Sequence, residues 1–244
     1  MSDNQTNTLV DALFKVGAHF GFSRSRRHAT MKSLVYGSKN RTDIIDLTQT
    51  APMLERALLF VRGLGAEGKR VIFVSGKPEM EGLLKNAASE IDMPYVIGRW
   101  IGGTLTNFSQ IKKRVKRMQE LTEERDTGAS AKKYTKKERV LFDREIARLE
   151  TNFLGISSLE KLPDALIVID TRHEDIAVAE AKTLNIPIVG IMNSDCDLSL
   201  ASYPVVGNDA SKESVTFFLD RIVEAYREGA AGRVATPEPE EKKV

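Results

Sequence analysis

The sequence has little of what marks a secreted protein or an enzyme. Among 244 residues there is one cysteine, Cys196, so no intramolecular disulfide can form and a reducing compartment is expected. The three histidines, His19, His28 and His173, show no H-x-x-H or H-E-x-x-H spacing, which leaves a zinc ion without a ligand set. No G-x-S-x-G elbow and no G-x-x-x-x-G-K-[ST] loop occurs, so neither an activated serine nor a nucleoside triphosphate loop is indicated. No apolar run approaches the roughly 18 to 20 residues that span a bilayer. Residues 1–8, MSDNQTNT, are too polar for a signal peptide, and a cytoplasmic protein is the expectation.

Net charge is also small. Lys plus Arg number 36 against 34 for Asp plus Glu, a formal +2, and that balance alone does not announce a nucleic-acid binder. Its distribution says more. Between Leu105 and Gly155 there are thirteen Lys/Arg and eight Asp/Glu, which leaves the remainder of the chain at minus three. The positive field is concentrated on one segment.

One apparent motif dissolves on inspection. Gly63, Gly65 and Gly68 spell G-x-G-x-x-G, but a dinucleotide fingerprint follows a strand and opens a helix, whose free N–H groups hold the pyrophosphate. Here the glycines close a helical pattern and precede the strand VIFVS at 71–75, so helix termination is the reading preferred.

Along the chain, residues 9–16 predict a short amphipathic helix. Residues 17–32, GAHFGFSRSRRHATMK, predict a basic loop carrying Arg24, Arg26, Arg27, His28 and Lys32. It reads either as solvated or, with Phe20 and Phe22 interleaved, as facing RNA. DIIDL at 43–47 reads as the first buried strand, and a helix is expected from about Pro52 to Ala66 with Thr50 as its cap. After VIFVS, Gly76 and Lys77 lie in a strand-to-helix turn that suits an anion. A helix from Glu79 to Ile91 and a strand PYVIG at 94–98 follow. Further strands are expected at ALIVID (165–170), PIVGIM (187–192) and YPVVG (203–207). A helix at about 173–184 bears Ile176, Ala177, Ala181 and Leu184, and a last helix is capped by Asp209 or Ser211. Repeated β-α units with strands lacking polar alternation indicate a parallel sheet with right-handed crossovers.

The alternation is interrupted once. Phe108, Ile111, Val115, Met118 and Leu121 recur at spacings of three and four, as do Phe142, Ile146, Leu149 and Phe153 beyond a turn. Narrow apolar seams with charged flanks predict an antiparallel coiled-coil hairpin, each helix roughly 28 Å long. It is launched from the glycine-rich run GRWIGG, whose Trp100 reads either as a core anchor or as an RNA-stacking ring. The expected organisation is an α/β domain in two parts, 1–104 and 156–229, an inserted hairpin at 105–155, and a disordered polar tail at 230–244.

Asp46, Ser75, Asp170, Asn193, Asp195 and Asp197 lie at strand ends, where open parallel sheets bind ligands. They suit helix caps and turns, or an enzyme of the α/β class that binds a phosphorylated small molecule with Asp170 and Asp195 as acid–base or metal ligands. A third possibility is a scaffold whose coiled coil pairs with another protein.

Several stretches, in order, resemble the bacterial small-subunit ribosomal protein two family: GAHFG at 17–21, NRTDIIDL at 40–47, RWIGGTLTNF at 99–108, TKKE at 135–138, LPDALIVID at 162–170, IAVAEA at 176–181, NIPIVGI at 185–191, DCD at 195–197 and GNDA at 207–210. The resemblance implies a flavodoxin-like, Rossmann-like three-layer domain with a protruding coiled-coil hairpin. It also implies a structural protein without catalysis, cofactor, metal, membrane or small-molecule substrate. Its partners would be small-subunit rRNA and neighbouring ribosomal proteins, including the mRNA-binding ribosomal protein one. On that reading the RNA-binding residues are Arg24, Arg26, Arg27, Lys32, Arg99, Asn107, Lys112, Lys113, Arg114, Lys116, Arg117, Lys132, Lys133, Lys136 and Lys137. The chain departs from the family pattern after HFG, where Phe22 and His28-Ala29-Thr30 stand in place of His and Trp-Asn-Pro.

Overall fold

The computed structural model describes residues 3–127 and 134–232. Helix α1 (Asp3–Lys15) leads into a small antiparallel sheet of β1 (Phe20–Ser23), β2 (Val35–Lys39) and β3 (Thr42–Ile45), ordered β1-β3-β2. This corrects two expectations. The basic segment is not wholly loop, since β1 lies within it, and DIIDL contributes the half-buried central strand of a small antiparallel sheet rather than a buried strand of the parallel one. Asn40 and Arg41, both at positive φ (51° and 66°), form the tight turn from β2 to β3, a two-residue geometry matched to strand twist.

Helix α2 (Leu47–Glu67) begins earlier than Pro52 suggests. Its N-cap is Asp46, whose Oδ1 accepts the Thr48 N–H at 3.0 Å. Pro52 is tolerated near the helix start, where the one donor it removes is that to the Thr48 carbonyl. Thr50, expected as the cap, instead donates its hydroxyl to the buried Val206 carbonyl at 2.7 Å. As the sequence indicates, glycine ends this helix: Gly68 takes φ 64° and returns its N–H to Gly65.

The parallel sheet comprises β4 (Val71–Ser75), β5 (Tyr95–Ile97), β6 (Ala165–Ile169), β7 (Ile188–Met192) and β8 (Tyr203–Val206), in the order β5-β4-β6-β7-β8. That is the 2-1-3-4-5 order of flavodoxin-like folds. Every residue of β4, β6 and β7 is buried, which is why these strands read as unbroken apolar runs. Alternate side chains feed two cores. Val71, Phe73, Ile167 and Ile191 pack with α2, helix α3 (Glu81–Glu90) and the last helix, residues 212–231. Ile72, Val74, Leu166 and Val168 pack on the other face with residues 175–183 and the base of the inserted helices. A third cluster joins Met31 and Leu34, from the 3-10 segment Ala29–Leu34 before β2, and Ile45 of β3 to Met192, Cys196 and Val206. The small sheet is thereby seated over the carboxyl ends of β7 and β8.

Between β5 and β6 run α4 (Phe108–Asp126) and α5 (Lys136–Phe153). Helix α6 (Asp175–Thr183) follows β6, and α7 (Lys212–Ala231), capped by Ser211, closes the fold. In α6 the buried side is Ala177, Val178 and Ala181, while Ile176 and Leu184 face solvent, contrary to the expected stripe. The tail from residue 233 lies outside the described residues.

Candidate nucleic-acid interface

Helices α4 and α5 pack through Ile111, Met118 and Leu121 on one and Ile146, Leu149 and Phe153 on the other, all buried. Arg117 Nε reaches Glu145 Oε1 at 3.4 Å, and Arg125 lies near Arg139 and Phe142, so the helices run antiparallel. A capping box starts α5: Glu138 accepts the Thr135 N–H at 2.8 Å, and Thr135 Oγ1 accepts the Glu138 N–H. Lys112, Lys113 and Lys116 fall within about 100° of one another around the α4 axis, opposite the buried seam. All three are exposed, as are Arg114 and Arg117. Lys112 donates to the Glu160 carbonyl at 3.0 Å, and Lys116 lies 3.8 Å from Glu120, both exposed. A pair so exposed neutralises little. Lys113 and Arg114 have no ion pair among the described residues. Lys136 and Lys137 are exposed in the first turn of α5, where the helix dipole is already positive. Lys132 and Lys133 lie outside the described residues.

The launch of α4 is held by one carboxylate. Glu180, on α6, accepts from the Gly103 N–H (2.6 Å) and Trp100 Nε1 (3.2 Å) on one oxygen. Its other oxygen accepts from the Leu105 N–H (2.9 Å), the Thr106 N–H (3.0 Å) and the Thr106 hydroxyl (3.1 Å). Burial alone would push its pKa up, but these donors outweigh burial and hold it below the usual carboxylate range. Of the two readings of Trp100, the structure therefore selects the core anchor: the indole is buried and its only N–H is used internally. Gly103, at φ 90°, gives the backbone the turn that presents these amides. Arg99 and Asn107, flanking this loop, are exposed.

The N-terminal arginines behave differently. Arg27 makes a two-pronged pair with Asp43, Nε to Oδ2 at 2.6 Å and Nη2 to Oδ1 at 2.5 Å, and Ser38 adds a third bond to that carboxylate. Asp43 is fully buried, and the Arg27 hydrogen bonds hold its pKa below the ordinary value against the effect of burial. Arg26 lies over the Phe22 ring at 4.3 Å and pairs with Asp195 at 2.7 Å. Arg24 and Lys32 are exposed.

At the carboxyl ends of the strands, the crevice between β4 and β6 is the point where strand order reverses, the usual ligand position in such sheets. Here it is filled from within. Lys77 Nζ bridges Asp170 (2.8 Å) and Asp209 (2.9 Å), and Asn193 donates to Asp209 at 2.9 Å. Burial drives Asp209 up to about 6 even beside Lys77, whereas Lys77 pulls Asp170 below its ordinary value in spite of burial. The anion that Lys77 faces is thus the protein's own. Burial, with Asp170 and Asp209 nearby, pushes the Cys196 thiol up to about 12, so it is no nucleophile. Among the described residues no group of three or more His, Cys, Asp or Glu is placed to hold a metal ion.

The sequence model described as ribosomal protein S2 matches residues 13–229. This chain belongs to the ribosomal protein S2 family. Proteins similar to it include the small ribosomal subunit protein uS2 of Arthrobacter sp. (strain FB24), 39% identical over 221 residues, which are 91% of this chain and 75% of the relative. Those of Coprothermobacter proteolyticus (38% over 222 residues; 91% and 82%) and Mycobacteroides abscessus (38% over 230 residues; 94% and 83%) are comparable.

Membership of the ribosomal protein S2 family makes the chain a structural, non-enzymatic component of the small ribosomal subunit that serves translation. The acids weighed for an enzyme have other employment: Asp46 and Asp197 cap helices, Asp170 holds Lys77, and Asp195 holds arginines. Of the candidate RNA-binding residues, the structure gathers Lys112, Lys113 and Lys116 on one exposed face and turns Arg27 inward. Sequence reasoning passed over Arg172, whose Nη1 lies 2.9 Å from Asp195. It also passed over the exposed Arg144 and Arg148 of α5, legible as an i,i+4 pair in DREIAR. Among the described residues, no helix is long and apolar enough to cross a membrane.

Proposed function

We propose that this ribosomal protein S2 family member binds small-subunit rRNA mainly through phosphate contacts, in the cytoplasm, and helps dock the mRNA-binding ribosomal protein one. The observation that carries the RNA reading is the outward face of α4, where Lys112, Lys113 and Lys116 project opposite the apolar seam with their charge almost unspent. Arg24, Lys32, Arg99, Asn107, Arg114, Lys136 and Lys137 are exposed as well. Cations so displayed neutralise phosphates and release counterions. Recognition is of RNA shape, because side chains cannot read the deep, narrow major groove of A-form RNA.

The docking reading is supported by an uncovered aromatic stack. Phe14 and Phe20 are 61% and 49% exposed and flank His19 at ring distances of 4.4 and 4.1 Å. Exposed aromatics in a cluster are the usual anchors of protein partners.

Titration of the full chain onto small-subunit rRNA at several salt concentrations tests the RNA reading. With five phosphates contacted, log affinity should fall with log salt at a slope of about −3.5 to −4.5. A slope near zero would overturn it.

A further inference from the structure

At the strand rim a second cationic feature is assembled from three distant parts of the chain. Arg26 comes from the turn after β1, Arg172 from the turn after β6, and Asp195 from the turn after β7. Both guanidinium groups meet the same carboxylate oxygen, Asp195 Oδ2, at 2.7 Å and 2.9 Å. The carboxylate is 2% exposed, while the two arginine side chains are 51% and 55% exposed. Two positive charges on one buried negative charge leave an excess of one, displayed outward. Each guanidinium has five N–H donors, and Asp195 engages only one nitrogen of each.

Close by, the other carboxylates are buried and held inward: Asp43 by Arg27, Asp170 and Asp209 by the one Lys77 between them, and Glu174 by the Gly76 N–H with His173 2.7 Å away, whereas the two guanidinium groups of the fork face outward. Phe22 supports Arg26 from beneath at 4.3 Å, and the fork is therefore held in place before any ligand arrives. Planar donor forks match phosphate oxygens. A nucleotide would need depth, and the crevice beside the fork is filled by Lys77, Asp170 and Asp209. What such a surface accepts is a phosphodiester backbone passing over it.

We propose that Arg26 and Arg172, aligned by Asp195, form a phosphate clamp for an RNA backbone at the strand rim, a contact site separate from the α4–α5 hairpin. The proposal rests on the RNA reading above and extends it to a second face. Asp195 is a positioning residue: it touches no RNA and sets the geometry of the two that do.

The test uses the full chain and small-subunit rRNA. The triple variant R26Q/R172Q/D195N removes the buried charge together with its partners, so no unpaired carboxylate is left inside. Its salt slope should be shallower than wild type by about 1.4 to 1.8, two phosphates' worth. A control with the same change in net charge, K69Q at the opposite end of the parallel strands, should leave the slope unchanged. Asp195→Asn alone separates positioning from charge: a clamp predicts weaker binding, whereas net charge by itself predicts tighter. A wild-type slope in the triple variant, or tighter binding by Asp195→Asn, would overturn the clamp while leaving the hairpin reading intact. A wild-type chain with no salt-dependent binding would remove the RNA reading itself. If inorganic phosphate or a mononucleotide displaces the RNA at low concentration, the rim is a small-molecule site and the backbone clamp is wrong.

Discussion

The two basic stretches of this chain look alike in sequence and are used differently. Arg27 lies in a run as cationic as that of α4, yet it is spent on Asp43, a carboxylate that the fold has buried, while its neighbour Arg26 is only partly spent on buried Asp195 and stays half exposed. Lys113 and Arg114 of α4 meet none among the described residues. The difference lies in what surrounds each stretch. A loop threaded between two sheets is flanked by buried acids that need cations, whereas the face of α4 opposite its narrow seam meets no buried acid among the described residues. The same residue types hold the structure together in one place and are left available in the other.

The sharpest way to break this comparison is Arg27→Ala. Removing one partner of a buried pair should cost about 3 kcal/mol, near the low end of such losses because Arg27 keeps some water contact, measured by urea unfolding. The pH dependence should change with it. Asp43 has its folded pKa lowered from 3.8, so its contribution is complete above about pH 4 and is lost as pH falls through the lowered value. Without Arg27 that acid loss should be shallower. A variant as stable as wild type would show that the pair is incidental.

A smaller effect is expected at Glu180. Glu180→Gln keeps the shape but turns an amide toward donors, and should cost about 2 kcal/mol, with faster hydrogen exchange at the Gly103, Leu105 and Thr106 amides. Unchanged exchange there would mean that the launch loop is held by packing alone. The smallest effect belongs to α4. Lys113→Ala and Arg114→Ala should each shift stability by no more than about 0.5 kcal/mol in thermal unfolding. A large loss at either position would mean that α4 spends its charge internally after all.

Much of the fold was legible because its signals are local. β4, β6 and β7 are buried on both faces and read as apolar runs, and α4 and α5 carry their seam in the spacing of Ile111, Met118, Leu121, Ile146 and Leu149. Of the small sheet only β3 was, through DIIDL. β1 and β2 have four and five residues, a glycine each and irregular register, and Asp43 in the middle of β3 makes sense only beside Arg27. At the candidate site the charge run of α4 was readable, but the fate of Arg26 depends on an acid 169 positions away and that of Trp100 on one 80 positions away. No window of sequence contains both members of such a pair.

The crossing of α2 and α7 has a consequence for where this chain tolerates loss. A Cβ on Gly65 would collide with the Tyr226 carbonyl, and one on Gly229 with that of Arg62, while Arg62 and Glu228 pair at 2.6 Å across the same crossing. Chain termini usually fray and can be trimmed. Here the final helix is wedged, backbone against backbone, into a helix that precedes the whole parallel sheet. A truncation that removes residues after Arg221 therefore does not shorten an end; it takes away one wall of the larger core.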